Sequence, residues 1–127
     1  MAFTTEQLRA AAATKLHTIT PTSGGGAATV DQLSGSAANI AQVEINNTNN
    51  ASTTAYLKLY NVVSGSVTLG TTTPDMVLPC PGGATVTYAL PQQTTFSTAL
   101  SVAMVTTGGT AGTTSMAKSV TVTILQG

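Results

Sequence analysis

Ala41-Gln42-Val43-Glu44-Ile45-Asn46 is the stretch that decides the fold, because its apolar and polar side chains alternate strictly. A period of two places successive side chains on opposite faces of an extended strand, whereas a helix needs a period near 3.6. The same alternation recurs at Ala55–Tyr60 and at residues 119–124. Each of these stretches is therefore predicted to be a strand with one buried face.

Shorter apolar runs occupy most of the remaining chain from Ala27 onward, and turn residues separate them. Spacing of that kind is typical of an all-β sandwich or barrel. With weaker candidates near Val30 and Phe96 included, the sequence predicts about eight or nine strands. The predicted fold is an all-β, two-sheet β-sandwich, either a jelly roll or immunoglobulin-like, and the pattern does not define its strand order.

The N-terminal residues follow a different pattern. Thr4 and Gln7 have the spacing of a capping box, and Phe3 and Leu8 that of a hydrophobic staple, so a helix is predicted to begin at Thr4. Leu8 and Leu16 fall on one narrow apolar face of this helix. Because so short a helix is marginal alone, Phe3, Leu8 and Leu16 are predicted to pack against a partner surface, either the chain's own domain or another chain.

A glycine-rich segment, Pro21-Thr22-Ser23-Gly24-Gly25-Gly26, follows this arm and has the composition of a flexible hinge. The sequence therefore predicts an N-terminal arm with a short helix and hinge, residues 1–26, and a β-sandwich domain, residues 27–127. Residues 106–115, rich in Thr and Gly, are predicted to form a long, exposed and mobile loop.

Composition excludes several classes of partner. The 127 residues suit one domain, and only 6% are charged, with four basic and four acidic side chains. This balance lacks the basic surface that nucleic acid or anionic lipid requires, so neither is an expected partner. The N-terminus has no apolar stretch typical of a signal peptide, and no apolar run has the length of a membrane span.

Chemically reactive side chains are few and scattered. His17 is the only histidine and Cys80 the only cysteine. Acid–base, nucleophilic and metal chemistry each need at least two such groups held close together. The sequence therefore predicts no enzyme, no metal site and no cofactor. Cys80, which lies between two prolines, is expected to be a buried thiol, and Asp75, which follows Pro74, is expected to organise a turn.

Two polar features allow alternative interpretations. Tyr56 and Tyr60 are predicted to share the polar face of one strand with Lys58, where they could stack on a sugar ring or contact another subunit. A plain exposed sheet face is the simpler interpretation. The triplets Asn46-Asn47-Thr48 and Asn50-Ala51-Ser52 match the glycosylation pattern, but an Asn-rich hairpin turn explains them more simply.

Three stretches carry a resemblance to a known class of protein: AYLKLYN at 55–61, LGTTTPDMVLP at 69–79 and FSTALSVA at 96–103. Over residues 38–127 the chain resembles small virion proteins of tailed bacteriophages. The resemblance implies a β-sandwich that acts as a capsid decoration (cement) protein. Such a protein is made in the host cytoplasm and is typically a trimer on the outer capsid surface, where capsomers meet. Its partners would be the major capsid protein and its own copies, and Phe3, Leu8 and Leu16 of the arm would then contact the capsid or a neighbouring subunit.

The resemblance is compatible with a second function. The chain could instead be a glycan-binding module of a phage tail or head fibre, with Tyr56, Tyr60 and the long loops holding a host sugar. The resemblance fixes no contact residues. Because sandwich folds serve both functions, the fold does not distinguish them.

Overall fold

Eight β-strands and one short 3₁₀ turn make up the described part of the computed structural model, which is residues 15–127 apart from the side chains at 91 and 92. The strands form two four-stranded antiparallel sheets, which confirms the predicted two-sheet all-β sandwich. The elements are β1 Lys15–Ile19, β2 Asp31–Ser34, β3 Ala38–Asn46, β4 Ala55–Tyr60, the 3₁₀ turn Ser64–Ser66, β5 Met76–Cys80, β6 Thr85–Phe96, β7 Leu100–Val105 and β8 Thr121–Gln126.

The first sheet has the strand order β1-β8-β3-β6, and the second has the order β2-β7-β4-β5. In the first sheet Val43 of β3 lies opposite Ile124 of β8 and Tyr88 of β6. The register shifts between Ile40 and Gln42, where a bulge interrupts the alternation. This bulge lets Ile40 and Val43, which are three positions apart, both lie in the buried core.

The core lies between the two sheets and consists of branched aliphatic side chains with a few larger ones. Ile45 of β3 and Val122 of β8 contribute from the first sheet, while Leu57 of β4 and Met104 of β7 contribute from the second. Burial of each such side chain stabilises the fold by about 1.5–3 kcal/mol. The alternation in β3, β4 and β8 is thus explained by one face of each strand lying in this core.

The two central strands of the second sheet, β7 and β4, are largely buried on both faces, unlike those of the first sheet. All six residues of β7 are buried, and in β4 only Tyr56 retains partial exposure. Two loop segments lie over this outer face, one from the connection between β4 and β5 and one at residues 106–114. The prediction of a single buried face is therefore wrong for β4.

The β-sandwich begins earlier in the chain than predicted. Leu16, predicted to lie on the apolar face of the arm helix, belongs with Lys15 to β1, which pairs with β8 from Lys15↔Gln126 to Ile19↔Val122. The sandwich accordingly begins at Lys15 rather than at residue 27. Strand pairing with β8 is a long-range interaction, and local helix signals do not report it. The earlier part of the predicted helix, including Phe3 and Leu8, lies outside the described residues.

Hydrogen bonds hold the glycine run in place, so it does not serve as the predicted flexible hinge. The amides of Gly24 and Gly25 both donate to the carbonyl oxygen of Met116, at 2.7 and 3.1 Å. Ser115 returns a hydrogen bond from its amide to the carbonyl oxygen of Gly26 at 2.8 Å. Gly24 and Gly25 have φ angles of 110° and 78°, which side chains other than glycine rarely adopt. Glycine is required here for backbone conformation.

Candidate functional site

The outer face of the first sheet is a neutral surface of exposed and half-buried side chains. We define this face by three cross-strand rows that follow from the strand register: Leu16, Leu125, Gln42 and Ala89; Thr18, Thr123, Glu44 and Thr87; and Thr121, Asn46 and Thr85. Most of these side chains are exposed, and the others are half-buried. Glu44 is the only charged residue in the rows, so a partner would meet mainly hydroxyl, amide and methyl groups.

One corner of this face is apolar. Leu16 is 66% exposed and is one of two large hydrophobic residues exposed in the described chain, the other being Val63 at 38%. Leu16 lies opposite the half-buried Leu125, and β1 is the edge strand of its sheet. Residues 1–14 join the sandwich at Lys15, immediately beside this Leu16–Leu125 corner. An exposed apolar corner therefore lies next to the point at which residues 1–14 join the sandwich.

His17 and Cys80 are engaged in different parts of the molecule. His17 lies in β1, and its Nε2 is 2.8 Å from Oε1 of Gln126. Cys80 lies in β5 of the other sheet, where its buried Sγ is 3.4 Å from the carbonyl oxygens of both Ile45 and Ala84. Burial raises the pKa of the Cys80 thiol, which keeps it protonated at neutral pH. The prediction of a buried thiol is confirmed.

The carboxylates do not form a metal cluster within residues 15–127. No group of three His, Cys, Asp or Glu side chains among the described residues is placed to hold a metal ion. Asp75 accepts a hydrogen bond from the backbone amide of Asn61 at 2.7 Å, so it organises the chain between β4 and β5 as predicted. Asp31 is half-buried at the start of β2, and burial raises the pKa of its carboxyl.

Tyr60 does not lie on an exposed face, so its predicted contact with a partner is wrong for this conformation. Tyr60 and Lys58 are both fully buried, while Tyr56 is half-buried. Lys58 donates from Nζ to the carbonyl oxygens of Gly112 at 2.9 Å and Thr110 at 3.3 Å. The loop at residues 106–114 therefore covers this strand face, and Tyr56 and Tyr60 do not form an open platform for a sugar.

The Asn-rich segment after β3 is a structural connection. It links β3 in the first sheet to β4 in the second, so the prediction of a hairpin turn is wrong. Asn47 is fully buried, and its Nδ2 lies within hydrogen-bond distance of the carbonyl oxygens of Thr53, Cys80 and Pro81. The buried Asn50 donates from Nδ2 and accepts at Oδ1 in hydrogen bonds with the backbone of Lys118. These two amides hold the connection against β5 and the segment before β8.

Comparison with known proteins gives a short result. No protein-family model, curated protein or solved structure matches this chain. Within residues 15–127, no helix has the length and apolar character needed to cross a membrane. The candidate site therefore depends on the geometry of the outer face and its Leu16–Leu125 corner. The sequence pattern indicated Leu16 as an apolar contact but not Leu125, because the position of Leu125 beside Leu16 depends on the β1–β8 register.

Proposed function

We propose that this chain is a structural virion protein of a tailed bacteriophage. In this proposal it decorates the outer capsid surface and stabilises the shell by binding across capsomer boundaries. Its partners are the major capsid protein and further copies of itself, most simply as a trimer. The resemblance of residues 38–127 to small phage virion proteins and the surface of the first sheet both support the proposal.

The observation that carries the proposal is the Leu16–Leu125 corner beside the entry of residues 1–14. A leucine that is 66% exposed on an edge strand is suited to burial against another protein. Residues 1–14 include Phe3 and Leu8, and an extended segment of that length reaches at most about 50 Å. We propose that this segment, with Leu16 at its base, anchors the protein to the capsid or to a neighbouring copy.

The neutral rows of the outer face are suited to dense packing of copies on a shell. Closely spaced copies of a strongly charged surface would repel one another, whereas Thr18, Thr87 and Thr123 bring hydroxyl groups without net charge. A specific interface needs about 1,000 Å² or more of buried area. One apolar corner is smaller than that, so the proposal requires the N-terminal segment and part of the outer face to contribute as well.

A capsid-binding assay tests the proposal. Purified protein is mixed with phage heads that lack it, the heads are sedimented, and bound protein is quantified before a heat challenge. We expect wild-type protein to bind at saturable occupancy and to protect the heads. Leu16→Ser should weaken binding about tenfold or more, whereas the matched variant Val63→Ser should bind like the wild type. Absence of binding by the wild type would contradict the proposal.

A truncation tests the anchoring segment separately. Deletion of residues 1–14 should leave the sandwich folded, because the described strands and core begin at Lys15. Removal of residues 1–20 is unsuitable, since it also removes β1. The shortened protein should retain the circular dichroism of the wild type while binding heads more weakly. Full occupancy by the shortened protein would show that the anchor lies elsewhere, and light scattering would separately test the expected trimer.

A further inference from the structure

The loop at residues 106–114 closes over the outer face of β4 and buries a lysine that has no carboxylate partner among the described residues. Both hydrogen bonds of the fully buried Lys58 ammonium go to loop carbonyl oxygens, at Thr110 and Gly112. The residues of the neighbouring strands that lie opposite Lys58 are Val77 and Ala103, neither of which is ionisable. The loop carbonyl groups are thus what compensates this buried charge.

The loop is a compact unit that is closed at its base. The amide of Thr106 donates to the carbonyl oxygen of Thr114 at 3.0 Å, which brings the two ends of the loop together. Within the loop, Gly112 packs so closely that an added Cβ would lie 2.3 Å from the carbonyl oxygen of Thr107. A Cβ at Gly108 would lie 3.1 Å from the ring of Tyr56. Compact surface loops of this length whose ends lie close together are frequently functional.

Apolar anchoring of the loop is weak. Its sequence, Thr-Thr-Gly-Gly-Thr-Ala-Gly-Thr-Thr, contains one apolar side chain, that of Ala111, which is exposed. Segments with few buried apolar contacts open at a lower free energy cost than the core strands. The two hydrogen bonds of Lys58 attach the tip of the loop to the sheet, and near the base of the loop the amide of Ala28 donates to the carbonyl oxygen of Thr113 at 2.8 Å.

We propose that residues 106–114 form a lid that opens as a unit while both sheets remain intact, and that Lys58 is the latch that holds the lid closed. Opening would expose the amine of Lys58 and the ring face of Tyr56 to solvent. This inference does not depend on the proposed function. The lid covers the part of the outer face of β4 that holds Lys58 and Tyr56, while the connection between β4 and β5 covers another part of this face of the sheet.

Amine acylation with an N-hydroxysuccinimide ester tests the closed state. Lys15 and Lys118 are exposed and act as internal standards in the same molecule. Mass spectrometry of the full-length protein after timed labelling should show acylation of Lys58 at least about tenfold slower than that of Lys118. Equal labelling of Lys58 and Lys118 in the folded protein would overturn the proposal.

Two glycine variants test whether the lid opens independently. Gly112→Ala should loosen the lid through the contact with Thr107 and accelerate acylation of Lys58 about tenfold or more. Gly65→Ala is the matched control, because nothing lies within 4 Å of its added Cβ, and it should leave the rate unchanged. Hydrogen exchange in β3 and β8 should remain slow in both variants. Equal loss of protection in the lid and in these strands would instead show global unfolding and contradict an independent lid.

The latch itself is tested with Lys58→Met, which keeps an unbranched stem and removes the donors. Hydrogen exchange of the lid amides should accelerate about tenfold, while the amides of β3 and β8 retain their protection. Lys118→Met is the control for removal of a positive charge and should change neither region. Wild-type protection of the lid in Lys58→Met would refute the role of Lys58 as the latch.

Discussion

Replacement of Asn47 by alanine should destabilise the protein far more than its place in a polar loop suggests. Asn47 is fully buried, and its Nδ2 lies 2.9 Å from the carbonyl oxygen of Thr53, 3.2 Å from that of Cys80 and 3.3 Å from that of Pro81. Its Oδ1 also accepts a hydrogen bond from Nδ2 of Asn50 at 2.9 Å. Alanine would leave buried carbonyl and amide groups without these partners.

The expected loss of stability follows from these contacts. A net hydrogen bond contributes about 1 kcal/mol, and a buried polar group left without a partner costs about 1–3 kcal/mol. Because Asn47→Ala removes interactions on both sides of the amide, we expect a loss of about 3–5 kcal/mol in the free energy of unfolding. That is a large fraction of the total stability of a domain of this size.

Equilibrium urea unfolding, followed by circular dichroism, measures this loss. The matched control is Asn49→Ala, because the exposed Asn49 side chain hydrogen-bonds to Ser119 alone among the described residues and should contribute no more than about 0.5 kcal/mol. The unfolding midpoint of Asn47→Ala should fall well below that of Asn49→Ala, with a similar slope. Equal unfolding midpoints for the two variants would refute the assignment of Asn47 as the residue whose hydrogen bonds connect the two sheets.

Three further predictions concern burial and pH. Asp31→Asn should stabilise the protein at pH 7 and give no such gain near pH 3. Burial raises the pKa of the Asp31 carboxyl above 3.8, so the ionised carboxylate opposes folding at pH 7. Urea unfolding of the variant and the wild type at pH 7 and pH 3 measures the gain. Tyr60→Phe should make the protein lose less stability as the pH rises above 10. Burial raises the pKa of the Tyr60 phenol above 10.0, so the folded state favours the neutral phenol and is destabilised when the phenol ionises. Thermal unfolding of both proteins across this pH range measures the difference. Leu57→Ala should cost about 2–5 kcal/mol by calorimetry, whereas Leu16→Ala should cost less than about 0.5 kcal/mol, since only Leu57 is buried.

The sandwich was predictable because its central strands combine local alternation with a shared core. At β3 the alternation of Val43 and Ile45 with polar neighbours reports directly which face is buried. The bulge between Ile40 and Gln42 was not predictable, because it depends on how β3 pairs with two neighbours at once. The start of β1, including Leu16, was assigned to a helix for a related reason, since its extended conformation depends on β8, more than a hundred residues later in the chain.

The candidate site was predictable only in part. Leu16 was selected as an apolar contact, and the structure shows it exposed, although on a strand instead of a helix. Lys58 and Tyr60 alternate with leucines, a pattern that normally indicates a solvent-exposed polar face. The loop that covers Lys58 supplies carbonyl oxygens to its ammonium group from glycine-rich backbone, and this backbone chemistry leaves little trace in a side-chain pattern.

The most direct test of the central claim is an electron microscopy reconstruction of phage heads incubated with the protein, at a resolution that shows individual strands. We expect density for the sandwich at capsomer boundaries, with the Leu16–Leu125 corner against a capsid subunit or a second copy. Heads that show no added density, or density in which this corner faces solvent while another surface makes the contact, would contradict the account.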